Sequence, residues 1–197
     1  MKKLFGIIAL MALGAAPAMA QNPPDRFQVG VGASFRLFQQ TETSDSSQIG
    51  MPGWYFDGVV NFRRFKGIFG LQLEGTGSYR DQGTFGNTSI YTLQAGPRIY
   101  LFGHHKLTPY GEILFGDGYY RNDVPAYGGY QSSVYSYTGF SYSGGGGLEL
   151  NIRHHLTVRM IQMDIGQTSF FGYKLKQTNY RASIGVSYHF DRIRLKP

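Results

Sequence analysis

The chain has 197 residues, with no cysteine, 28 glycines, 15 tyrosines, 15 phenylalanines and a formal net charge of +7. Without cysteine, neither a disulfide nor a cysteine metal site supports the fold, and so much glycine at a slightly negative mean hydropathy excludes a bundle of apolar membrane helices. The basic residues are spread over turns, loops and strands with no helix or aromatic sheet motif to organise them, which argues against nucleic acid as a partner.

Residues 1–20 have the pattern of a signal peptide: Lys2 and Lys3 make a charged start, residues 4–15 an apolar run, and Ala18-Met19-Ala20 a cleavage site. Cleavage leaves Gln21 as the first mature residue and lowers the charge by two. Read instead as an anchor, about 12 apolar residues fall short of the roughly 20 that a spanning helix needs. No later run is apolar enough to be such a helix. The remainder suits a single domain, residues 21–190, with a short tail at 191–197.

Eight segments follow in which apolar and polar residues alternate, so that each strand has two unlike faces. In the first, Phe27, Val29, Val31, Ala33, Phe35 and Leu37 alternate with Gln28, Gly30, Gly32, Ser34 and Arg36. The second sets Trp54, Phe56, Val60 and Phe62 against Tyr55, Asp57, Asn61 and Arg63, and the third Phe69, Leu71, Leu73 and Tyr79 against Gly70, Gln72, Glu74, Thr76 and Ser78. In the fourth, Tyr91, Leu93, Ala95, Ile99 and Leu101 oppose Thr92, Gln94, Gly96 and Arg98. The fifth spans 108–118 and the sixth 140–151, the latter weakened by four consecutive glycines at 144–147.

Strand seven, 156–165, breaks the pattern. Arg159 takes the polar side between Val158 and Met160, but Gln162 and Asp164 then share the apolar parity. A β-bulge near Ile161, or emergence of the strand above the membrane, reconciles them. The last strand is regular: Tyr180, Ala182, Ile184, Val186, Tyr188 and Phe190 oppose Asn179, Arg181, Ser183, Gly185, Ser187 and His189.

The connections alternate in length. Residues 64–67, 103–106 and 152–155 are short, whereas 39–52, 80–88, 119–137 and 166–177 are long and polar. The expected fold is all-β: an eight-stranded antiparallel up-and-down transmembrane β-barrel with short periplasmic turns and long extracellular loops, its apolar face toward outer-membrane lipid. A soluble eight-stranded barrel such as a lipocalin has the same parity with the faces reversed. Aromatic crowding at strand ends and the aromatic last strand favour the membrane form.

The run Ser183, Gly185, Tyr188 and Phe190 resembles the C-terminal signal by which the barrel-assembly machinery recognises bacterial outer-membrane proteins, although seven residues follow Phe190. The mature chain is similar to the OmpA/OmpX-like superfamily of small eight-stranded barrels in Ala95-Gly96-Pro97-Arg98, Pro109-Tyr110-Gly111, Gly145-Gly146-Gly147-Leu148-Glu149 and Leu156-Thr157-Val158-Arg159. The resemblance implies an architecture and a place in the cell outer membrane, not an activity.

Inward parity puts four arginines and four acids inside, and distances from the turns sort them into two structural layers. Arg98, Glu112, Glu149 and Arg159 are expected on the periplasmic side, and Arg36, Asp57, Glu74 and Arg181 above them. Alternating carboxylates and guanidinium groups satisfy one another in so narrow a space. A gated pore or a catalytic acid–base set is the functional alternative for these residues.

Lipid A-modifying enzymes among small barrels use histidine near the outer leaflet. Here His104, His105, His154 and His155 fall in periplasmic turns and His189 at the end of the last strand. The paired histidines read as solvated turn residues rather than metal ligands, and no cofactor is implied. Lipid headgroup phosphates suit Arg64, Lys66, Lys106 and Arg153. A pore for ions or very small solutes ranks second, behind a non-catalytic barrel that is structural or binds a surface, host or matrix ligand through its loops. The third loop carries Tyr119, Tyr120, Tyr127, Tyr130, Tyr135 and Tyr137 among Gly, Ser and Asn, a mixture of broad amphipathic contacts and adaptable hydrogen bonds.

Overall fold

The computed structural model describes residues 27–40, 48–62, 68–81, 86–101, 106–126, 131–153, 155–170 and 176–190. The signal peptide, Gln21 and the tail lie outside them, as do Arg63, the turn at 64–67, His104, His105, His154, Tyr127 and Tyr130. Eight strands follow in chain order: β1 (Phe27–Gln40), β2 (Gln48–Asn61), β3 (Phe69–Asp81), β4 (Asn87–Tyr100), β5 (Leu107–Val124), β6 (Ser133–Arg153), β7 (Leu156–Phe170) and β8 (Lys176–Phe190). Each pairs antiparallel with the next, and β8 closes on β1. Closure leaves no unpaired sheet edge in the body of the barrel, so nearly every backbone polar group there has a partner without water.

The alternation read from the sequence becomes the two faces of the wall. Val31, Leu71, Leu93, Ile113 and Ile184 project outward, while Gln72, Glu74, Arg98, Thr157 and Arg159 are buried in the bore. On β7 the pairing with β8 shifts between Arg159 and Gln162. The bulge leaves Met160 and Ile161 both exposed, at 48% and 42%, and returns Gln162 and Asp164 to the inside. Of the two sequence alternatives, the bulge is the one present.

The glycine run does not interrupt β6, which continues for 21 residues. Neighbouring side chains occupy the space that its own lack. The Tyr110 phenol oxygen lies 2.6 Å from where a Cβ at Gly147 would be, and an Asp164 carboxylate oxygen occupies the place of one at Gly145. These glycines let large groups from β5 and β7 fill the bore.

Strands also extend further than expected at the end remote from the chain termini. The connections there shrink to 41–47, 82–86, 125–132 and 171–175. Much of the polar sequence at 119–137 is paired strand, with register kept as far as Val124 opposite Ser133.

Candidate functional site

Two charged clusters fill the bore. In the cluster nearer the termini, Arg159 on β7 donates through Nη2 to Asp57 Oδ2 on β2 at 2.7 Å and to Glu149 Oε1 on β6 at 3.3 Å. Arg98 on β4 donates to the same Glu149 oxygen and lies 3.6 Å from Asp57 Oδ2. Aromatic faces close the remaining space around the cations: the Arg98 guanidinium sits 3.5 Å from the centre of the Tyr110 ring and 5.0 Å from that of Tyr100, and Arg159 sits 5.0 Å from Tyr55.

The second cluster lies toward the far end. Arg181 Nη2 is 2.6 Å from both Glu74 Oε1 and Asp164 Oδ2, and its Nε donates to Asp164 at 2.9 Å. Gln162 joins the two clusters. Its Oε1 accepts from Arg159 Nη1 at 2.9 Å and the Tyr110 hydroxyl at 3.0 Å, and its Nε2 donates to Glu112 at 2.7 Å and Asp164 at 2.9 Å. Beyond Arg181, Phe38, Met51 and Ile90 make an apolar layer against which Tyr120 packs. Tyr120 stacks on Phe38 and on Tyr137. Charged network and apolar layer together fill the bore, as eight strands allow.

The layers expected from turn distances need correcting. Asp57 belongs to the cluster nearer the termini, Glu112 bonds to Gln162 rather than to an arginine, and Asp164 joins the far cluster. Arg36 is opposite Met51, not Asp57, because paired strand extends into the first connection. There is a second cause in barrel geometry. Strands in a closed barrel are tilted and staggered, so residues at one height come from strands that are not register partners. Arg98 is paired in register with Glu112 yet bonds Glu149 on β6. Arg36 forms no ion pair among the described residues, donating only from Nη2 to Thr76 Oγ1 at 2.7 Å.

On β8, Ser183 faces the bore, Gly185 lies beneath the Tyr55 hydroxyl, and Tyr188 and Phe190 point outward with their rings edge-on at 5.0 Å. His155 stacks on Tyr188, and His189 Nε2 lies 2.7 Å from Thr157 Oγ1. Both histidines are at the terminal end. The described residues contain no group of three His, Asp or Glu suited to hold a metal ion.

The tyrosines of the third connection do not form one surface. Tyr119 is on the outer wall, where its ring lies 6.2 Å from Tyr91, itself 5.6 Å from Tyr79, whose hydroxyl accepts from Trp54 Nε1 at 3.1 Å. It is therefore part of an aromatic band. Tyr120 and Tyr137 face inward over the apolar layer. Tyr135 alone of the described four stands clear, 49% exposed, beside Val134 at 61%. These two sit on β6 where it continues from Gly139 to Ser133 after pairing with β7 has stopped at Phe170, its partner β5 staying paired with β4 as far as Asp123. An exposed Arg121–Asp123 pair at 2.8 Å marks that partner strand. Sequence reasoning misses Val134 because six tyrosines dominate the segment, and polar and glycine content hides the paired register.

A family model described as outer membrane protein beta-barrel domain matches residues 6–190. Among solved structures, Neisserial surface protein A (NspA) is similar with a TM-score of 0.66 at 10% identity, covering 83% of this chain and 97% of its own. Ail, the attachment invasion locus protein of Yersinia pestis, is similar with a TM-score of 0.59 at 17% identity, covering 85% of this chain and 99% of its own. A second structure of Ail, in complex with the heparin analogue sucrose octasulfate, has a TM-score of 0.58 at 16% identity, covering 85% and 99%. No curated protein sequence matches the chain.

Proposed function

The chain belongs to the outer-membrane β-barrel family, and from that premise we propose that it is a non-catalytic barrel of the cell outer membrane that binds an extracellular surface ligand through its β5–β6 hairpin. The observation that carries the reading is the run of β5–β6 pairing past the last β6–β7 pair. Six register pairs, from Tyr119 opposite Thr138 to Val124 opposite Ser133, lie beyond the last β6–β7 pair. They give about 20 Å of paired strand, held on its other side by β4 as far as Asn87 opposite Asp123, with Val134 and Tyr135 exposed among small polar residues. An exposed aliphatic and an aromatic on a pre-ordered support lower the cost of ordering a binding surface. Ail is named for attachment and is known with a heparin analogue, which favours matrix or host-surface ligands as the first to test.

A filled bore argues against transport, and the low position of His155 and His189 argues against lipid A chemistry. In the same reading the chain is exported by its signal peptide, matures at Gln21, and is handed to the barrel-assembly machinery through Ser183, Gly185, Tyr188 and Phe190. The eight charged residues Arg36, Asp57, Glu74, Arg98, Glu112, Glu149, Arg159 and Arg181 are structural.

Replacing residues 122–135 with Asn-Gly keeps Arg121 opposite Ser136 and closes the hairpin with a two-residue turn. The shortened protein is expected to fold and insert while cells expressing it lose attachment to matrix-coated surfaces. Undiminished attachment by correctly inserted shortened protein would sink the proposal.

A further inference from the structure

We propose that the end of the barrel holding both chain termini docks on anionic phospholipid of the periplasmic leaflet, through basic residues placed all round its rim. Every passage of the chain at that end contributes. Arg26 precedes β1, the β2–β3 connection carries three basic residues from Arg63 to Lys66, Lys106 precedes β5, Arg153 ends β6, and the last seven residues carry three more. These nine Lys and Arg are accompanied by two acids, Asp25 and Asp191, whereas in the rest of residues 21–197 acids outnumber bases by ten to eight. The net positive charge of residues 21–197 therefore lies at one end, and neither the bore nor the remote end carries an excess of it.

The described members show where that charge stands. Lys106 and Arg153 are exposed and form no ion pair among the described residues. Each directly adjoins an apolar side chain on the outer wall, Leu107 at 46% exposure and Ile152 at 53%, and in the chain Arg26 and Arg63 adjoin the exposed Phe27 and Phe62 in the same way. One residue of strand advances about 3 Å, so the cations begin where the apolar band ends, which is the level of lipid phosphates, and their aliphatic stems can lie along the wall. Charge spread over all five chain passages matches a planar array of headgroups, whereas a single anionic polymer or a compact partner is matched by a patch on one side. Attraction to an anionic surface is a preference of about fivefold per basic residue, equivalent to about 1 kcal/mol. The contact fixes the depth of the barrel and is independent of the β5–β6 hairpin at the other end.

The test uses the full mature chain refolded into phosphatidylcholine vesicles that contain a trace of spin-labelled phosphatidylglycerol or spin-labelled phosphatidylcholine. The association constant of the anionic lipid relative to the neutral one is expected between about two and five at low salt, the lower figure allowing for the leaflet that has no basic rim. It should approach one at about 1 M salt, where screening is nearly complete. Combining Arg63→Gln, Arg64→Gln, Lys66→Gln, Lys106→Gln and Arg153→Gln should at least halve the preference, while Arg80→Gln with Arg121→Gln at the remote end should leave it in place. Heat-modifiability checks that both variants fold, and the parent protein is measured first, so failure of a variant to fold does not rescue the idea. Equal association of the two lipids with the parent overturns the proposal, as does a preference that survives the five substitutions or falls as far with the remote pair. Sedimentation of the parent with peptidoglycan in the absence of any lipid preference overturns it in favour of a cell-wall polymer.

Discussion

Asp57 is where the structure departs most usefully from turn arithmetic, and its removal gives the sharpest test of the charged bore. Its carboxylate crosses from β2 to reach Arg159 at 2.7 Å and Arg98 at 3.6 Å, all three side chains being fully buried. In Asp57→Asn, two guanidinium groups share Glu149 alone. Breaking a buried pair from one side costs about 3–5 kcal/mol; because the amide oxygen still accepts from Arg159 and Glu149 still neutralises one charge, the lower end, about 3 kcal/mol, is expected. The assay is urea unfolding in lipid vesicles, followed by the fluorescence of Trp54, the one tryptophan in the chain. A double-mutant cycle identifies the partner. Coupling of Asp57→Asn with Arg159→Met should exceed about 1.5 kcal/mol, while Asp57→Asn and Arg36→Gln should add within about 0.5 kcal/mol. A loss below about 0.5 kcal/mol for the single variant, or stronger coupling to Arg36 than to Arg159, refutes the assignment.

Deleting Ile161 removes the extra residue of the bulge and restores strict alternation along β7 with Gln162 and Asp164 still facing the bore, whereas deleting Met163 turns Asp164 toward lipid and takes one of the two carboxylates from Arg181. The Ile161 deletion should keep the heat-modifiable folded band and the Met163 deletion should lose it, at a cost of at least about 3 kcal/mol; loss of the folded band in both would show that the bulge does not set the facing of these residues. On the outer wall, a Cβ at Gly77 would lie 2.7 Å from the Trp54 ring, whereas one at Gly58 would meet nothing nearer than the Phe27 ring at 3.8 Å. Gly77→Val should therefore displace the indole from Tyr79, change its emission and cost about 1–3 kcal/mol, while Gly58→Val is tolerated. Equal behaviour of the two variants would refute the packing described for Trp54.

The wall of this barrel is legible in the sequence because its signal is local. Whether Val31 or Gly32 faces lipid depends only on parity, and parity is read one residue at a time. Even the exception on β7 announces itself, since Arg159 and Asp164 cannot both face inward on an unbroken strand. The contents of the bore are less legible because they depend on tilt and stagger, which no single strand encodes. Arg98 and Glu112 are symmetric about a turn and paired in register, but the distance that matters runs across the bore to Glu149 and Asp57. The remote ends are obscured for another reason. Tyr119, Tyr120, Tyr135 and Tyr137 sit among Gly, Ser and Asn, a composition that reads as loop, although β5 and β6 keep their pairing through it.

That extension ties the outer surface to the interior. Tyr120 and Tyr137 are stacked neighbours on β5 and β6 past the last β6–β7 pair, and Tyr120, in register with Ile90 of β4, also packs on Phe38, Met51 and Ile90 at the mouth of the bore. The residues that order the base of the hairpin are thus the same ones that close the barrel. A protein that conducted solutes would need this layer to open, and opening it would remove the support of its own exposed hairpin. On the proposed function, the interior is kept filled so that the outer strands stay ordered. The same proposal gives the buried charges a structural role and leaves Val134 and Tyr135, exposed past the last β6–β7 pair, as the groups offered to a partner.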